Sequence, residues 1–103
     1  MAFADKVYTL CKKVPKGKVT TYKELAKALG TKAYRAVGQA MRHNPYAPIV
    51  PCHRVVASDG TMGGFGGQTH GPNIRSKIRM LEKEGVRVIG GKIHNFERIL
   101  HRF

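Results

Sequence analysis

Thr21-Tyr22-Lys23-Glu24-Leu25-Ala26-Lys27-Ala28-Leu29-Gly30-Thr31, continued by Lys32-Ala33-Tyr34-Arg35-Ala36-Val37-Gly38-Gln39-Ala40-Met41-Arg42, is the stretch that decides the fold. Thr21 and Glu24 have the spacing of a capping box, in which each side chain satisfies an orphan N–H at a helix start. Leu25, Ala28 and Leu29 supply the buried face of that helix, and Gly30 ends it. Thr31 then caps a second helix, expected over residues 32–42. Two short helices joined by a tight glycine-containing turn predict a helix-turn-helix at about residues 21–42.

Drawn as a wheel, the second helix turns Ala33, Ala36, Val37, Ala40 and Met41 to the core. Arg35, Gly38, Gln39 and Arg42 fall on the opposite face. A glycine inside a helix costs about 1 kcal/mol relative to alanine, so Gly38 needs a reason. Close approach of the backbone to a nucleic-acid groove is one, and tight packing against another helix is the other; the sequence leaves both open.

Composition narrows the partner. The chain has 103 residues, enough for one modest core without metal or disulfide staples. Lys and Arg number 19 against 6 acidic residues, a formal charge of +13. So large an excess on a small body points to a polyanion, nucleic acid first. The start lacks the apolar core of a signal peptide, and no apolar run approaches membrane-spanning length, so the expectation is an intracellular protein with no membrane contact. Cys11 and Cys52 are far apart, and the five histidines show no ligand spacing, which argues against a disulfide framework, a zinc finger or any metal site.

Outside the two helices, Phe3, Val7, Leu10 and Val14 recur at helical spacing, and Val19-Thr20 is short and β-favouring. Pro72 suits a helix N1 position, with Ile74, Ile78 and Leu81 as the apolar face down to Glu84 and Gly85 as the cap. On that helix Arg75, Lys77, Arg79 and Lys83 read as a solvated face. Val86-Arg87-Val88-Ile89 reads as a short strand, and Phe96, Ile99, Leu100 and Phe103 as a closing helix. The fold class is therefore mainly α with short strands, a winged helix-turn-helix-like single domain over residues 1–103.

Within residues 48–56, Pro51-Cys52-His53-Arg54-Val55-Val56 places three polar or reactive side chains inside an apolar run. Pro51 removes a backbone donor, so the segment is no regular inner strand. It reads as a stiffened backbone presenting one thiol. A basic neighbourhood favours the nucleophilic thiolate. In an extended strand, however, His53 would point away from Cys52, so a bend or a water is needed between them. Glu84 is a candidate to orient the imidazole if its helix packs nearby. Asn44, before Pro45, is a candidate rigid hinge into the thiol segment. Residues 60–71 form a glycine-rich loop around Phe65, without the ending of a phosphate-binding loop.

With these residues in place, the chain resembles O6-alkylguanine-DNA alkyltransferase over residues 14–86. The resemblance rests on Pro51-Cys52-His53-Arg54-Val55-Val56 together with Arg35-Ala36-Val37-Gly38, Asn44-Pro45 and Tyr22. The ribonuclease-like N-terminal domain common in that family is absent from this sequence. The resemblance implies stoichiometric transfer of an alkyl group from O6-alkylguanine in double-stranded DNA to Cys52, with no cofactor; it leaves open whether O4-alkylthymine is a further substrate. It implies that His53, water-linked to Cys52 and oriented by Glu84, draws off the thiol proton. Tyr22 would donate to guanine N3 and help turn the nucleotide outward, and Arg35 would fill the gap. The second helix, with Gly38, Gln39 and Arg42, would lie in the minor groove, braced by Asn44. The carbonyls of Cys52 and Val55 would read the guanine amino group, Phe65 would wall the base and the Gly66 N–H would face O6. Phe65 stands where many members carry Tyr, and Gly66 where many carry Ser; the smaller Gly66 is expected to admit bulkier O6-alkyl groups.

The rival reading is an alkyltransferase-like protein that binds alkylated DNA without accepting the group, which the chain length fits and the intact Cys52 does not. A plain helix-turn-helix regulator would leave Pro51-Cys52-His53 incidental, and a general thiol enzyme would need neither Arg35 nor the charge. The expected state is a monomer.

Overall fold

The computed structural model describes residues 2–64 and 71–103. Its elements run α1 (Phe3–Cys11), β1 (Thr20–Thr21), α2 (Tyr22–Ala28), α3 (Tyr34–Arg42), a 3-10 turn (Cys52–Arg54), β2 (Val55–Val56), α4 (Pro72–Lys83), β3 (Val88–Ile89), β4 (Lys92–Ile93) and α5 (Phe96–Ile99). The class is as expected, mainly helical with short strands on a helix-turn-helix frame.

The decisive stretch folds for the reasons its residues give. Thr21 Oγ1 accepts from the Glu24 N–H at 3.0 Å, the threonine half of the capping box. The Glu24 carboxylate lies 3.6 Å from Arg102 Nε, which ties the C-terminal segment to the start of α2. Gly30, at φ +70°, supplies the left-handed turn after α2. The second helix starts later than expected, at Tyr34 instead of residue 32, with Ala33 as its N-cap. Thr31 accepts from the Ala33 N–H at 3.1 Å, so its hydroxyl closes a local turn and does not cap the helix.

Two apolar cores lie on either side of the β1–β2 pair. The first gathers Val7, Cys11, Leu25, Val37, Met41, Val50 and Val55 from α1, α2, α3 and the run into the thiol turn. The second joins Val19, Val56, Met62, Leu81, Val86 and Ile93. Fully burying such side chains contributes about 1.5–3 kcal/mol each. The expected α3 stripe is narrower than the wheel suggested: Val37, Ala40 and Met41 are buried, whereas Ala33 and Ala36 are exposed.

β1 pairs with β2 in parallel, Thr20 opposite Val55 and Thr21 opposite Val56. This pairing joins the entry of the helix-turn-helix to the exit of the thiol turn, segments more than thirty residues apart in sequence. β3 and β4 form a hairpin, and Thr61 bridges to Lys92. The closing helix is shorter than its spacing suggested. It stops at Ile99, and Leu100 pairs beside Val19, because that strand edge offers the backbone hydrogen bonds Val19 N–H to Ile99 O and His101 N–H to Val19 O.

Candidate active site

The thiol segment is not extended at its centre. Pro51 is followed by the 3-10 turn Cys52–Arg54, closed by the Arg54 N–H donating to Pro51 O at 2.9 Å. This removes the conflict that an extended strand would create, since residues on one tight turn no longer alternate faces. Cys52 is half-buried against the first core, whereas Cys11 is wholly buried in it. Burial pushes the Cys11 thiol up to about 12, which leaves it an inert core side chain.

His53 and Arg54 converge on one carboxylate at the end of α4. The His53 Nε2 lies 3.0 Å from Glu84 Oε2. Arg54 donates through Nε to Oε1 at 2.9 Å and through Nη2 to Oε2 at 2.7 Å, and its Nη1 donates to Val14 O at 2.8 Å. A carboxylate only accepts, so Nε2 carries the imidazole proton and Nδ1 carries a lone pair. That Nδ1 is buried and unpartnered among the described residues. Burial, only partly offset by Glu84, holds the His53 pKa below its ordinary value, so the ring is neutral at pH 7.

The bidentate Arg54 grip was not foreseen. Its signal was present, in that a guanidinium beside a buried histidine needs a carboxylate, and the chain has only 6 acids. Burial raises the Glu84 pKa, but the hydrogen bonds from Arg54 and His53 outweigh it and hold the carboxyl below its ordinary value. A carboxyl depressed in the folded state adds stability above its unfolded titration, and that stability is lost as pH falls through the folded value. Thermal melts should therefore show the wild type losing its advantage over Glu84→Gln as pH is lowered from about 5 to about 3. A gap between the two proteins that stays constant over that range would contradict this assignment.

Tyr22 opens α2 and is partly buried beside Cys52 in the first core. Its hydroxyl donates to Gly64 O at 3.4 Å. Burial first, then Cys52, raises its pKa, so it stays a proton donor at neutral pH. Gly63, at φ +67°, packs against that ring: a Cβ there would lie 3.1 Å from Tyr22 Cε2 and 3.3 Å from its hydroxyl. Gly63→Ala should cost about 1–2 kcal/mol from left-handed strain and this contact. The check is a urea unfolding midpoint; an unchanged midpoint would contradict the packing.

Asn44 bridges α3 to the thiol segment. Its Nδ2 donates to Val50 O at 2.9 Å and its Oδ1 accepts from the Tyr46 N–H at 2.9 Å. Arg35, Gln39 and Arg42 are exposed on α3, and Gly38 is half-exposed with nothing within 4 Å of a Cβ built on it. Open space removes tight packing as the reason for Gly38. Val55 is buried and sends its carbonyl toward Lys77 Nζ, 2.6 Å away. Lys77 is the one clear misreading of α4: it is wholly buried, not part of a solvated face. Phe65 and Gly66 lie outside the described residues, as does part of the loop 60–71. Among the described residues no group of three or more His, Cys, Asp or Glu side chains is placed to hold a metal, and no helix is long and apolar enough to cross a membrane.

Fold and site together define a helix-turn-helix protein that presents a half-buried thiol beside a histidine–carboxylate pair. The chain belongs to the family described as 6-O-methylguanine DNA methyltransferase, DNA binding domain, whose sequence model matches residues 2–86. It is 51% identical over 86 residues to a methylated-DNA--protein-cysteine methyltransferase of Thermococcus kodakarensis, covering 82% of this chain and 45% of the relative. Among solved structures, S. pombe Atl1 in complex with damaged DNA containing O6-carboxymethylguanine superposes with a TM-score of 0.83 at 33% identity, over 98% of this chain and 95% of that one. Mycobacterium tuberculosis OGT in complex with DNA gives 0.73 at 40% identity, over 82% of this chain and 50% of that chain. The chain spans about half the length of the curated methyltransferases it matches.

Proposed function

We propose that this chain repairs DNA by taking the alkyl group of O6-alkylguanine onto Cys52, once per molecule, after the damaged nucleotide swings out of the duplex. The observation that carries the reading is the His53 ring, fastened to Glu84 through Nε2 and left with a free Nδ1 on the same tight turn as the thiol. That nitrogen accepts the Cys52 proton, directly or through one water. The sulfur then attacks the alkyl carbon in line: a carbon–sulfur bond forms, the carbon–O6 bond breaks, and its electron pair leaves with guanine. The proton lost by the thiol is returned to the base, so nothing is oxidised and no cofactor is required. The thioether has no route back, which makes each molecule act once.

Tyr22 serves as the donor to guanine N3, neutralising charge as the base leaves. The carbonyls of Cys52 and Val55 read the guanine amino group, Phe65 walls the base, and the Gly66 N–H meets O6. The exposed face of α3 binds the minor groove, with Gly38 letting the backbone close in and Gln39 and Arg42 on the strands. Asn44 keeps that helix in register with the thiol turn. Arg35 enters the duplex and occupies the space of the extruded base, offsetting a few kcal/mol of unstacking. The substrate is thus double-stranded DNA carrying O6-alkylguanine, met by a monomer inside the cell, and residues 1–103 act as one DNA-binding alkyltransferase domain.

Titration with duplex carrying labelled O6-methylguanine tests this. Label bound to protein should plateau at one methyl per chain; continuing turnover, or no transfer, contradicts the proposal. Arg35→Ala should slow repair of duplex about tenfold, while reaction with free O6-benzylguanine changes less than about twofold. Equal losses on both substrates would remove the finger role. The second reading, binding of alkylated DNA without transfer, is favoured by the likeness to Atl1 across nearly all of both chains. The cysteine at position 52 weighs against it.

A further inference from the structure

Tyr8 is a buried tyrosine of α1, and the repair chemistry above leaves it without a task. Its hydroxyl donates to Ala40 O at 2.7 Å, across 32 positions of sequence. Ala40 lies in the last turn of α3, where carbonyls run out of intrahelical donors. The Asn44 N–H, the regular partner of Ala40 O, turns instead to Met41 O at 3.3 Å. A side chain from another helix therefore closes the C-terminal end of α3. The Tyr8 ring also stands edge-on to Tyr46, with centroids 5.8 Å apart and planes at 81°. Tyr46 belongs to the link between α3 and the thiol turn, residues 43–51, which contains neither helix nor strand.

That link is tied to the thiol turn by its own hydrogen bonds. Tyr46 O accepts from the Val50 N–H at 3.0 Å, and Val50 O accepts from the Cys52 N–H at 2.8 Å. Asn44 donates to the same Val50 O and accepts from the Tyr46 N–H. Tyr8 thus touches both bodies, the last turn of α3 through its hydroxyl and the thiol link through its ring. It also lines the open apolar groove between α1 and α3, beside Arg35 and Gln39. Resting on the alkyl-transfer reading, we infer that Tyr8 is a positioning residue for duplex repair: it fixes the spacing between the groove-facing side of α3 and Cys52. Spacing matters only to a substrate that engages both. A duplex bound by α3 must deliver its extruded nucleotide to Cys52, and a misplacement of about 1 Å costs up to about a hundredfold in rate. A free alkylated base reaches the sulfur without touching α3. The hydroxyl acts through Ala40 and the ring through Tyr46, and neither meets the reacting atoms.

Single-turnover transfer to Cys52 tests this with two substrates, O6-methylguanine duplex and free O6-benzylguanine. Tyr8→Phe deletes one hydroxyl and keeps the ring contact; its duplex rate should fall roughly fivefold, the size of one lost neutral hydrogen bond. Tyr8→Leu deletes both holds and should lose roughly twentyfold on duplex. Both variants should react with the free base within about twofold of the wild type. A retained duplex rate, or a loss shared equally by the free base, is what a merely structural tyrosine would give, and either overturns the inference. A second measurement involves no alkyl group, so it separates this inference from the repair reading. Hydrogen–deuterium exchange of Tyr8→Phe without DNA should show the Asn44 and Cys52 amides exchanging roughly fivefold faster, with the Leu81 amide of α4 unchanged. Unchanged exchange at Asn44 and Cys52 overturns the inference, whereas a wild type that takes no alkyl group from either substrate overturns the repair reading alone.

Discussion

Glu84→Ala should abolish nearly all alkyl transfer and weaken the fold in the same stroke. One carboxylate holds both the imidazole and the guanidinium, through contacts of 3.0, 2.9 and 2.7 Å. Without it, the His53 ring loses the acceptor that fixes its tautomer, and the lone pair no longer stays on Nδ1. Loss of an oriented base lowers rates by about 10²–10⁴-fold. Arg54, itself mostly buried, is left with Val14 O as its remaining partner. Stranding a charge of this kind costs about 2–4 kcal/mol, less than in a fully dry interior because water still reaches both side chains. Single-turnover transfer from O6-methylguanine duplex and a chemical denaturation curve measure the two effects. Glu84→Gln, which keeps one acceptor, should recover part of the stability and little of the rate. A variant that is destabilised yet fully active would show that the carboxylate only braces the fold.

Cys52→Ala should remove transfer completely while leaving affinity for lesion duplex within about threefold of the wild type, since the groove-facing side chains of α3 and the extrusion of the base do not use the sulfur. The substitution deletes a half-buried group at the edge of the first core, so the fold should survive it. Gel shift with duplex containing O6-methylguanine, set beside the transfer assay, reads both. Residual transfer would place the acceptor elsewhere, and loss of binding would mean that Cys52 shapes the pocket.

What the sequence made legible and what it hid separate along physical lines. Local rules worked where a residue satisfies its own neighbourhood: Thr21 with Glu24, Gly30 after α2, Pro72 and Gly85 around α4. They failed at the start of α3, where Thr31 closes a turn two residues on and the helix waits until Tyr34. The parallel pair of Thr20-Thr21 with Val55-Val56 is too short for any periodicity to announce. Lys77 was hidden by its charge, although its place between Ile74, Ile78 and Leu81 puts it on the apolar stripe. Three backbone acceptors deep in the fold satisfy its ammonium, so helical position outweighs charge type there. At the candidate site, the chemistry of their residue types and the resemblance they carry single out Cys52, His53, Tyr22, Asn44 and Glu84. The Arg54 grip on Glu84 needed the fold, because the two are thirty residues apart. The bend at Cys52 likewise appears only when Pro51 and Arg54 close the 3-10 turn.

The most direct measurement is the intact mass of the protein after incubation with one equivalent of O6-methylguanine duplex, followed by peptide mapping. The account predicts that every chain gains one methylene and that the whole gain maps to Cys52, with unmodified guanine left in the DNA. A protein of unchanged mass beside an undamaged-looking complex still carrying its O6-methyl group would contradict it.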